Sequence, residues 1–293
     1  MPDRYTSQTY INASAQLEAA CEWLQRIGIN YLPTRLGKYR KLFSTVAKHQ
    51  QSKTLDTFLI GANFEEWVNA VHEVAEINRI FEGLSAEDDE TLVQRLKKSL
   101  KGHEKNILEK IDTSGRDFSL ELSVAAKFVR KGYLVDFGHD ADVAVEIEDF
   151  RFYVECKRLK SRLQVEKRIS EGLVQLVRRY ESSPNPSKAH GILVLSIGRI
   201  ANPNLGLLVA DSYQALGEAA FRHNLAFIAE YNSCWQTNVD KRTLGVCIIL
   251  DSPGCIQAEN KLVTIHEITM NNSVSINSEE HKIIFPIVYR AFG

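Results

Sequence analysis

Two acids and a lysine near the middle of the chain are the residue types of a site that binds a divalent cation and activates water. Asp142, Glu155 and Lys157 lie in the segment DVAVEIEDFRFYVECK, which begins at Asp142. Apolar and polar residues alternate on both sides of Glu148-Asp149, as in two strands joined by a short polar turn. Carboxylate oxygens suit hard divalent ions, and an ammonium group beside them can orient a water molecule.

The register of this hairpin decides whether the three side chains meet. If the turn has two residues, the apolar face pairs Ile147 with Phe150, Val145 with Phe152, and Val143 with Val154. The other face pairs Glu146 with Arg151, Ala144 with Tyr153, and Asp142 with Glu155. Opposed residues have Cβ atoms roughly 4.5–5.5 Å apart, so Asp142 and Glu155 would repel each other unless a cation lay between them. Cys156 would point to the apolar face.

A different register would select a different acid. Glu-Asp is not a favoured type I′ turn sequence, and a longer loop or a bulge would shift the pairing by one residue. Asp140 and His139 are the alternatives to Asp142, because Asp140 lies opposite Lys157 when the turn has two residues. A solvated hairpin face would also carry two acids and a lysine by chance.

A helix is predicted just before the hairpin, from Asp117 to Gly132. Gly132 suits the end of a helix. The apolar positions have helical spacing and are Phe118, Leu122, Ala125 and Val129. Glu121 lies beside this apolar stripe, where a carboxylate is costly to desolvate unless something pairs with it. A pair with Arg116 or Lys127, or exposure to solvent, would explain Glu121 without a role in a site.

The order of helix, strand and hairpin, with these acids and the lysine, resembles the PD-(D/E)xK nuclease superfamily, which has a restriction-endonuclease-like fold. Asp142 matches the aspartate, although Ala141 stands where the motif has proline. Glu155-Cys156-Lys157 matches the (D/E)xK half, and Glu121 matches the helix glutamate of many members. A helix at 166–180 and a buried strand at 191–197 would complete the αβββαβ core. The resemblance covers about residues 115–197 and implies an α/β fold with a mixed β-sheet flanked by helices.

The resemblance implies a metal-dependent nuclease that hydrolyses phosphodiester bonds, with a DNA endonuclease as the preferred interpretation. Asp142, Glu155 and the carbonyl of Cys156 would hold Mg²⁺ or Mn²⁺, and Glu121 would help to place the ion or its waters. Lys157 would orient or help to deprotonate the attacking water. Gln175 lies off the apolar stripe of its helix and is similar in type to a glutamine that some members carry there.

Nucleic acid requires an electropositive approach, and the whole composition does not supply one. The chain has 36 basic and 37 acidic residues, so any basic surface must be local. Basic residues cluster directly after Lys157. A solvated helix face would explain such a cluster, but its attachment to Lys157 favours contact with nucleic acid. The residues that we expect to make this contact are Arg158, Lys160, Arg162, Arg168, Gln175 and Arg179.

The rest of the chain predicts a helical N-terminal region, residues 1–112, before a nuclease-like domain, residues 113–293. Amphipathic helices are predicted at 13–27 and 64–81, followed by a charged segment at 88–110. Substrate contact through Arg35, Lys38, Arg40 and Lys41, dimerisation, partner docking and plain packing are all open roles for this region. Beyond residue 200 we predict a helix at 212–223 and strands at 225–231, 244–250, 263–268 and 283–289.

Composition and motifs predict the cellular compartment and the partners of the protein. Five cysteines without a CxxC pair predict reduced thiols, and no signal peptide or membrane-length apolar run is evident, so we expect a cytoplasmic protein with no membrane contact. No phosphate-binding loop of the G-x-x-x-x-G-K-[S/T] type occurs, so an ATPase or helicase would be a separate partner. A homodimer and an activating partner are both open, and a role in restriction or anti-phage defence is an analogy.

Two other functions remain alternatives. A partner-activated or non-catalytic nucleic-acid-binding module could use the same fold, although a degenerate copy would be expected to lack at least one of the four site residues. A metal-independent RNA-cleaving enzyme would need a His, Tyr and Lys set, and no such set has a convincing spacing.

Overall fold

The structure is a computed structural model that describes residues 5–6, 10–104, 114–237, 239–259, 261–272 and 279–292. Its helices are α1 (Tyr10–Arg26), α2 (Arg35–Gln51), α3 (Leu55–Phe58), α4 (Ala62–Leu84), α5 (Glu90–Ser99), α6 (Ser114–Arg130), α7 (Val165–Ser182), α8 (Gly198–Ala201), α9 (Tyr213–Tyr231), α10 (Ser233–Gln236) and α11 (Glu279–Phe292). Its strands are β1 (Tyr5–Thr6), β2 (Val143–Ile147), β3 (Phe150–Arg158), β4 (Ala189–Ser196), β5 (Leu208–Ala210), β6 (Thr243–Ile256) and β7 (Lys261–Asn272). None of these helices is both long enough and apolar enough to cross a membrane.

The strands form one mixed sheet in the order β1-β7-β6-β4-β3-β2, and β5 also pairs with β6. The β2/β3 and β6/β7 pairs are antiparallel, whereas β3, β4 and β6 run parallel to one another. Helix α7 makes the crossover between the parallel strands β3 and β4. Helices cover both faces of the sheet, so the α/β class that the sequence predicts is confirmed.

The two faces of the sheet have separate apolar cores. Val154 and Cys156 of β3 belong to the first core, with residues of α1, α2, α4, α5, α6 and α11. Tyr153 of β3 belongs to the second core, with residues of α7, α9 and α10. The predicted helical character of the N-terminal region is confirmed, but its helices share the first core with the sheet. The proposed boundary near residue 112 lies outside the described residues.

The predicted register of the β2/β3 hairpin is confirmed at the five pairs within the strands, and Asp142 lies one residue before β2. Val143 lies opposite Val154, and Ile147 lies opposite Phe150 at the turn. Glu148 has φ 52°, the left-handed conformation that a two-residue hairpin turn needs at its first position and that glycine adopts more readily. Cys156 packs in the first core, as predicted, so its thiol points away from the face that carries Glu155 and Lys157.

The strand predicted before the hairpin, at residues 133–137, is reduced to a single bridge between Val135 and Val145. Two backbone hydrogen bonds support it, from Asp136 N to the Ala144 carbonyl at 2.9 Å and from Glu146 N to the Leu134 carbonyl at 3.2 Å. The chain then bends at once, because the Asp136 carboxylate accepts a hydrogen bond from Gly138 N at 3.0 Å. The edge of the sheet therefore ends in a turn that leads to Asp142.

Two of the predicted C-terminal strands are wrong. Residues 225–231 continue α9, and residues 283–289 lie within α11. In α9 the buried residues Leu216, Ala220 and Phe227 recur at helical spacing across the whole element, which a seven-residue window does not show. The other two strand predictions, 244–250 and 263–268, lie within β6 and β7 and are confirmed.

Candidate active site

The hairpin brings Asp142, Glu155 and Lys157 together. Lys157 Nζ lies 3.7 Å from Asp142 Oδ2 and 3.5 Å from Glu155 Oε2, and it donates a hydrogen bond to the carbonyl of Cys156 at 3.2 Å. The side chain of Lys157 is only 7% exposed. Because residues two apart on a strand share a face, β3 presents Glu155 and Lys157 side by side toward α7. The ammonium group thus sits between the two carboxylates.

Asp142 is fixed by the backbone of the opposite strand. Its Oδ2 accepts a hydrogen bond from Cys156 N at 2.7 Å. The alternative residues have other positions: Asp140 is exposed, and His139 Nδ1 accepts a hydrogen bond from Ala141 N at 2.9 Å. Among the three, Asp142 is the one that contacts Lys157.

Glu155 is the most deeply buried acid of the group. Its side chain is 0% exposed, and its Oε1 accepts a hydrogen bond from Arg179 Nε at 3.0 Å. Its Oε2 has no hydrogen-bond partner among the residues that the structure describes. Burial, followed by the negative charge of Asp142, raises the pKa of Glu155 to about 7. The Lys157 ammonium lies 3.5 Å from this oxygen without a hydrogen bond to it, so Oε2 retains the capacity to accept a closer ligand.

Glu121 reaches the site from α6 and pairs with Arg95 of α5. Arg95 Nη1 lies 3.6 Å from Glu121 Oε2, so neither Arg116 nor Lys127 is the partner shown here. Burial, and then the charge of Asp142, raise the pKa of Glu121 to about 8. Arg95 also donates a hydrogen bond to the Asp142 carbonyl at 2.7 Å, so one guanidinium contacts both the helix glutamate and the backbone of the hairpin aspartate.

Arg95 is a site residue that the sequence reasoning missed. Its guanidinium donates hydrogen bonds to the carbonyls of Asp142 at 2.7 Å, His139 at 2.8 Å and Ala141 at 3.2 Å. These bonds fix the turn that delivers Asp142 to the hairpin. Arg95 lies in the charged segment of the N-terminal region, and its helical spacing alone gives no sign of this tertiary contact.

Helix α7 closes the site from above β3. A Cβ at Gly172 would lie 2.4 Å from Leu193 Cδ1 and 3.5 Å from Lys157 Cε, so glycine lets the helix approach the lysine closely. Gln175 and Arg179 follow at helical spacing on the same side of α7. Gln175 Oε1 is buried and has no hydrogen-bond partner among the described residues. Gln175 therefore lies between the helix position over Lys157 and the one that contacts Glu155.

The other basic residues predicted to contact nucleic acid have acidic partners. Arg158 is buried on the opposite face of β3, where it donates hydrogen bonds to Glu76 at 2.8 Å and to the Arg116 carbonyl at 2.9 Å. This position removes Arg158 from any surface that a phosphate could reach. The remaining three lie nearer to solvent in ion pairs: Lys160 with Asp117 at 3.3 Å, Arg162 with Glu230 at 2.7 Å, and Arg168 with Glu171 at 2.9 Å.

The fit of the site to a metal ion rests on its oxygen atoms. Across the part of the chain that the structure describes, no group of three or more His, Cys, Asp or Glu side chains is arranged to hold a metal ion. Asp142 and Glu155 nevertheless offer two carboxylates, and the carbonyl of Cys156 faces the same ammonium group. Mg²⁺ is usually held by one or two carboxylates and keeps several waters, so these residues fit Mg²⁺ or Mn²⁺ in their chemistry.

Comparisons with known proteins add no relative. No protein-family model, no curated protein and no solved structure matches this chain. The resemblance to the PD-(D/E)xK superfamily therefore depends on the motif residues and on the geometry that brings them together.

Proposed function

We propose that this protein is a metal-dependent nuclease that hydrolyses phosphodiester bonds in DNA. The observation that carries the proposal is the position of Lys157 Nζ, within 3.7 Å of Asp142 and 3.5 Å of Glu155 on one face of a hairpin. Hydrolysis of a phosphodiester requires a water nucleophile and compensation of negative charge on the phosphate. A divalent ion held by the two carboxylates, with the ammonium group beside it, would serve both needs.

Each residue has a definite part in this proposal. Asp142 and Glu155, with the Cys156 carbonyl, would hold the ion, and Glu121 would accept a hydrogen bond from one of its waters. Bound Mg²⁺ or Mn²⁺ would neutralise charge on the phosphate and make a water acidic enough to attack near neutral pH. Lys157 would orient that water, whose oxygen bonds to phosphorus as the P–O ester bond breaks, while the proton of the attacking water would pass to solvent and the leaving oxygen would take up a proton from solvent. Its positive charge would offset the charge that develops on the phosphate oxygens.

A plasmid assay tests the proposal. The purified chain is incubated with supercoiled plasmid, linear duplex and single-stranded DNA, with Mg²⁺, Mn²⁺ or EDTA. We expect metal-dependent cleavage that falls by about 10²- to 10³-fold in Lys157→Ala, because loss of one group that stabilises developing charge costs that much. Glu155→Gln should also lose activity, since it removes a metal ligand. Lys167→Ala is the matched control, because this α7 lysine is 76% exposed and its ion pair within the described part of the chain is with Glu171 at 3.9 Å.

The outcome separates three cases. Equal cleavage by wild type and Lys157→Ala, with both proteins folded by circular dichroism, would overturn the assignment of this site. Cleavage that persists in EDTA would overturn the metal requirement. Because cleavage of both strands takes two sites, a homodimer is part of the proposal for duplex DNA, and size-exclusion chromatography with light scattering tests it.

A nuclease that needs an activating partner is the second candidate. The ion pairs at Lys160, Arg162 and Arg168 favour it, because these basic residues are balanced by acids in this structure. A purified chain that binds Mn²⁺ at Glu155 but cuts none of the three DNA forms would support this candidate over the first.

A further inference from the structure

The candidate site already contains as many cations as acids. The three acids, Glu121, Asp142 and Glu155, face three basic residues, Arg95, Lys157 and Arg179. Each acid lies within 4 Å of at least one of these cations. With all three acids ionised the cluster is neutral, and a divalent ion that entered it would add two positive charges at short range. Electrostatics therefore favours the departure of one resident cation when the ion binds.

The contacts of the three cations show which one can leave. Arg95 is 14% exposed and is held by three backbone carbonyls. Lys157 is 7% exposed and lies under α7 at Gly172. Arg179 is 22% exposed, and among the described residues it donates to Glu155 and, at 2.6 Å, to the Asp140 carbonyl. Counting ion pairs and hydrogen bonds together, Arg179 contacts two groups, Lys157 three and Arg95 four, so Arg179 has the fewest contacts to lose and the best access to solvent.

We propose that Arg179 exchanges between Glu155 in the metal-free protein and a phosphate of the nucleic acid in the metal-bound protein. This inference rests on the proposed function and adds a step to it. Arg179 Nε bonds the same carboxylate that would ligate the ion, at 3.0 Å, so the ion and the guanidinium compete for one group. A displaced Arg179 remains tethered to α7 beside the ion, where the phosphate would bind. A planar guanidinium is well suited to bind a phosphate through two parallel hydrogen bonds.

The exchange couples metal binding to nucleic-acid binding. The ion releases Arg179 for the phosphate, and the phosphate holds Arg179 away from Glu155. By linkage, each ligand must then strengthen the binding of the other by the same factor. A purely structural Arg179–Glu155 pair would stabilise the fold but would create no such reciprocity.

Metal titration gives the first test. The Kd for Mn²⁺ is measured by isothermal titration calorimetry, without nucleic acid, for wild type, Arg179→Gln, Arg178→Gln and Glu155→Gln. We expect Arg179→Gln to bind Mn²⁺ about tenfold more tightly than wild type, within the usual range of coupling between sites. Arg178→Gln is the matched control, because it removes the same charge from an exposed neighbouring position of α7. Arg179→Lys keeps a cation for Glu155, so its Kd should stay near the wild-type value.

Nucleic-acid binding gives the second test. The affinity for a fluorescent DNA duplex is measured in EDTA and in Ca²⁺, which takes the same oxygen ligands as Mg²⁺. Wild type and Arg178→Gln should bind DNA more tightly in Ca²⁺, and Arg179→Gln and Arg179→Lys should lose most of this gain. Arg179→Lys retains the positive charge at this position. If Arg179→Gln folds poorly, Arg179→Lys still tests whether the Arg179 guanidinium binds a phosphate.

The results separate the inference from the function on which it rests. Wild type that binds Mn²⁺ with Arg179→Gln no tighter than Arg178→Gln would overturn the exchange and leave the nuclease intact. A Ca²⁺ gain that survives in both Arg179 variants would overturn it as well. Wild type that binds no Mn²⁺, or binds it as well as Glu155→Gln does, would overturn the metal site and the exchange together.

Discussion

Glu121 and Glu155 hold their protons to higher pH in the folded protein than in the unfolded chain. Burial, reinforced by the charge of Asp142, raises the pKa of Glu155 from 4.5 to about 7 and that of Glu121 from 4.5 to about 8. Between these values the native state binds more protons than the unfolded state. Folding stability must then fall as the pH rises through this window, which is the reverse of the effect of an acid held by a salt bridge.

We predict that the metal-free protein loses stability between pH 6.5 and pH 8 because of these two acids. The pH range begins at 6.5 because burial lowers the pKa of His72 and His266 from 6.5. Below that pH these two histidines make folding stability rise with pH, which would oppose the effect of the two acids. The measurement is the thermal unfolding midpoint in EDTA at several pH values, for wild type and for Glu155→Gln. The variant cannot ionise at this position, so its midpoint should depend less on pH. Parallel curves for the two proteins would contradict the prediction.

At the scale of elements, α4 connects the helical layer to the sheet through three charged residues. Glu73 pairs with Arg116 at 2.9 Å and with Arg35 at 3.4 Å, Glu76 pairs with Arg158 at 2.8 Å, and Arg79 pairs with Asp251 at 2.9 Å. The spacing of three residues keeps these side chains near one side of the helix. One helix of the N-terminal region thus contacts α2, α6, β3 and β6 through its charges.

We predict that Glu76→Ala destabilises the protein by about 3–5 kcal/mol, because it removes the ion-pair partner of the buried Arg158 guanidinium. Glu65→Ala, at an exposed position of α4, is the control and should cost well under this amount. Urea denaturation gives the free energy of unfolding for each variant. The double variant Glu76→Ala with Arg158→Met should recover part of the loss, since it removes the uncompensated charge. A single-variant effect as small as that of Glu65→Ala would contradict the prediction.

Local pattern and tertiary contact explain what the sequence could and could not predict at this scale. The register of β2 and β3 follows from strict alternation around two polar residues, so Asp142, Glu155 and Lys157 could be placed on one face. The contacts of Arg95 and the burial of Arg158 depend on how distant helices dock, and no local spacing encodes that. Residues 283–289 are apolar enough to suggest a strand, but Ile284, Val288 and Ala291 are buried at helical spacing in α11.

At the scale of the molecule, the first core joins the N-terminal helices to the sheet. Leu17 of α1 and Trp67 of α4 belong to the same apolar cluster as Val154 of β3. The buried pairs of α4 cross the same boundary. A fragment without these helices would expose one face of the sheet and leave Arg158 and Asp251 without partners from α4.

We predict that residues 113–293 do not fold alone and that the whole chain unfolds in one cooperative transition. Far-UV circular dichroism and size-exclusion chromatography of the fragment, beside differential scanning calorimetry of the full chain, make the comparison. A monomeric fragment with its own sharp unfolding transition would show that the N-terminal helices are an independent addition.

The alternation of side chains along β3 brings the candidate site close to the boundary between the sheet and the N-terminal helices. Lys157 points into the candidate site and Arg158 points into the helical layer, although a single peptide bond joins them. The two faces of β3 therefore take part in two separate sets of charged contacts. Because Glu76 of α4 holds Arg158 at 2.8 Å, the helical layer anchors β3 at the residue directly next to Lys157.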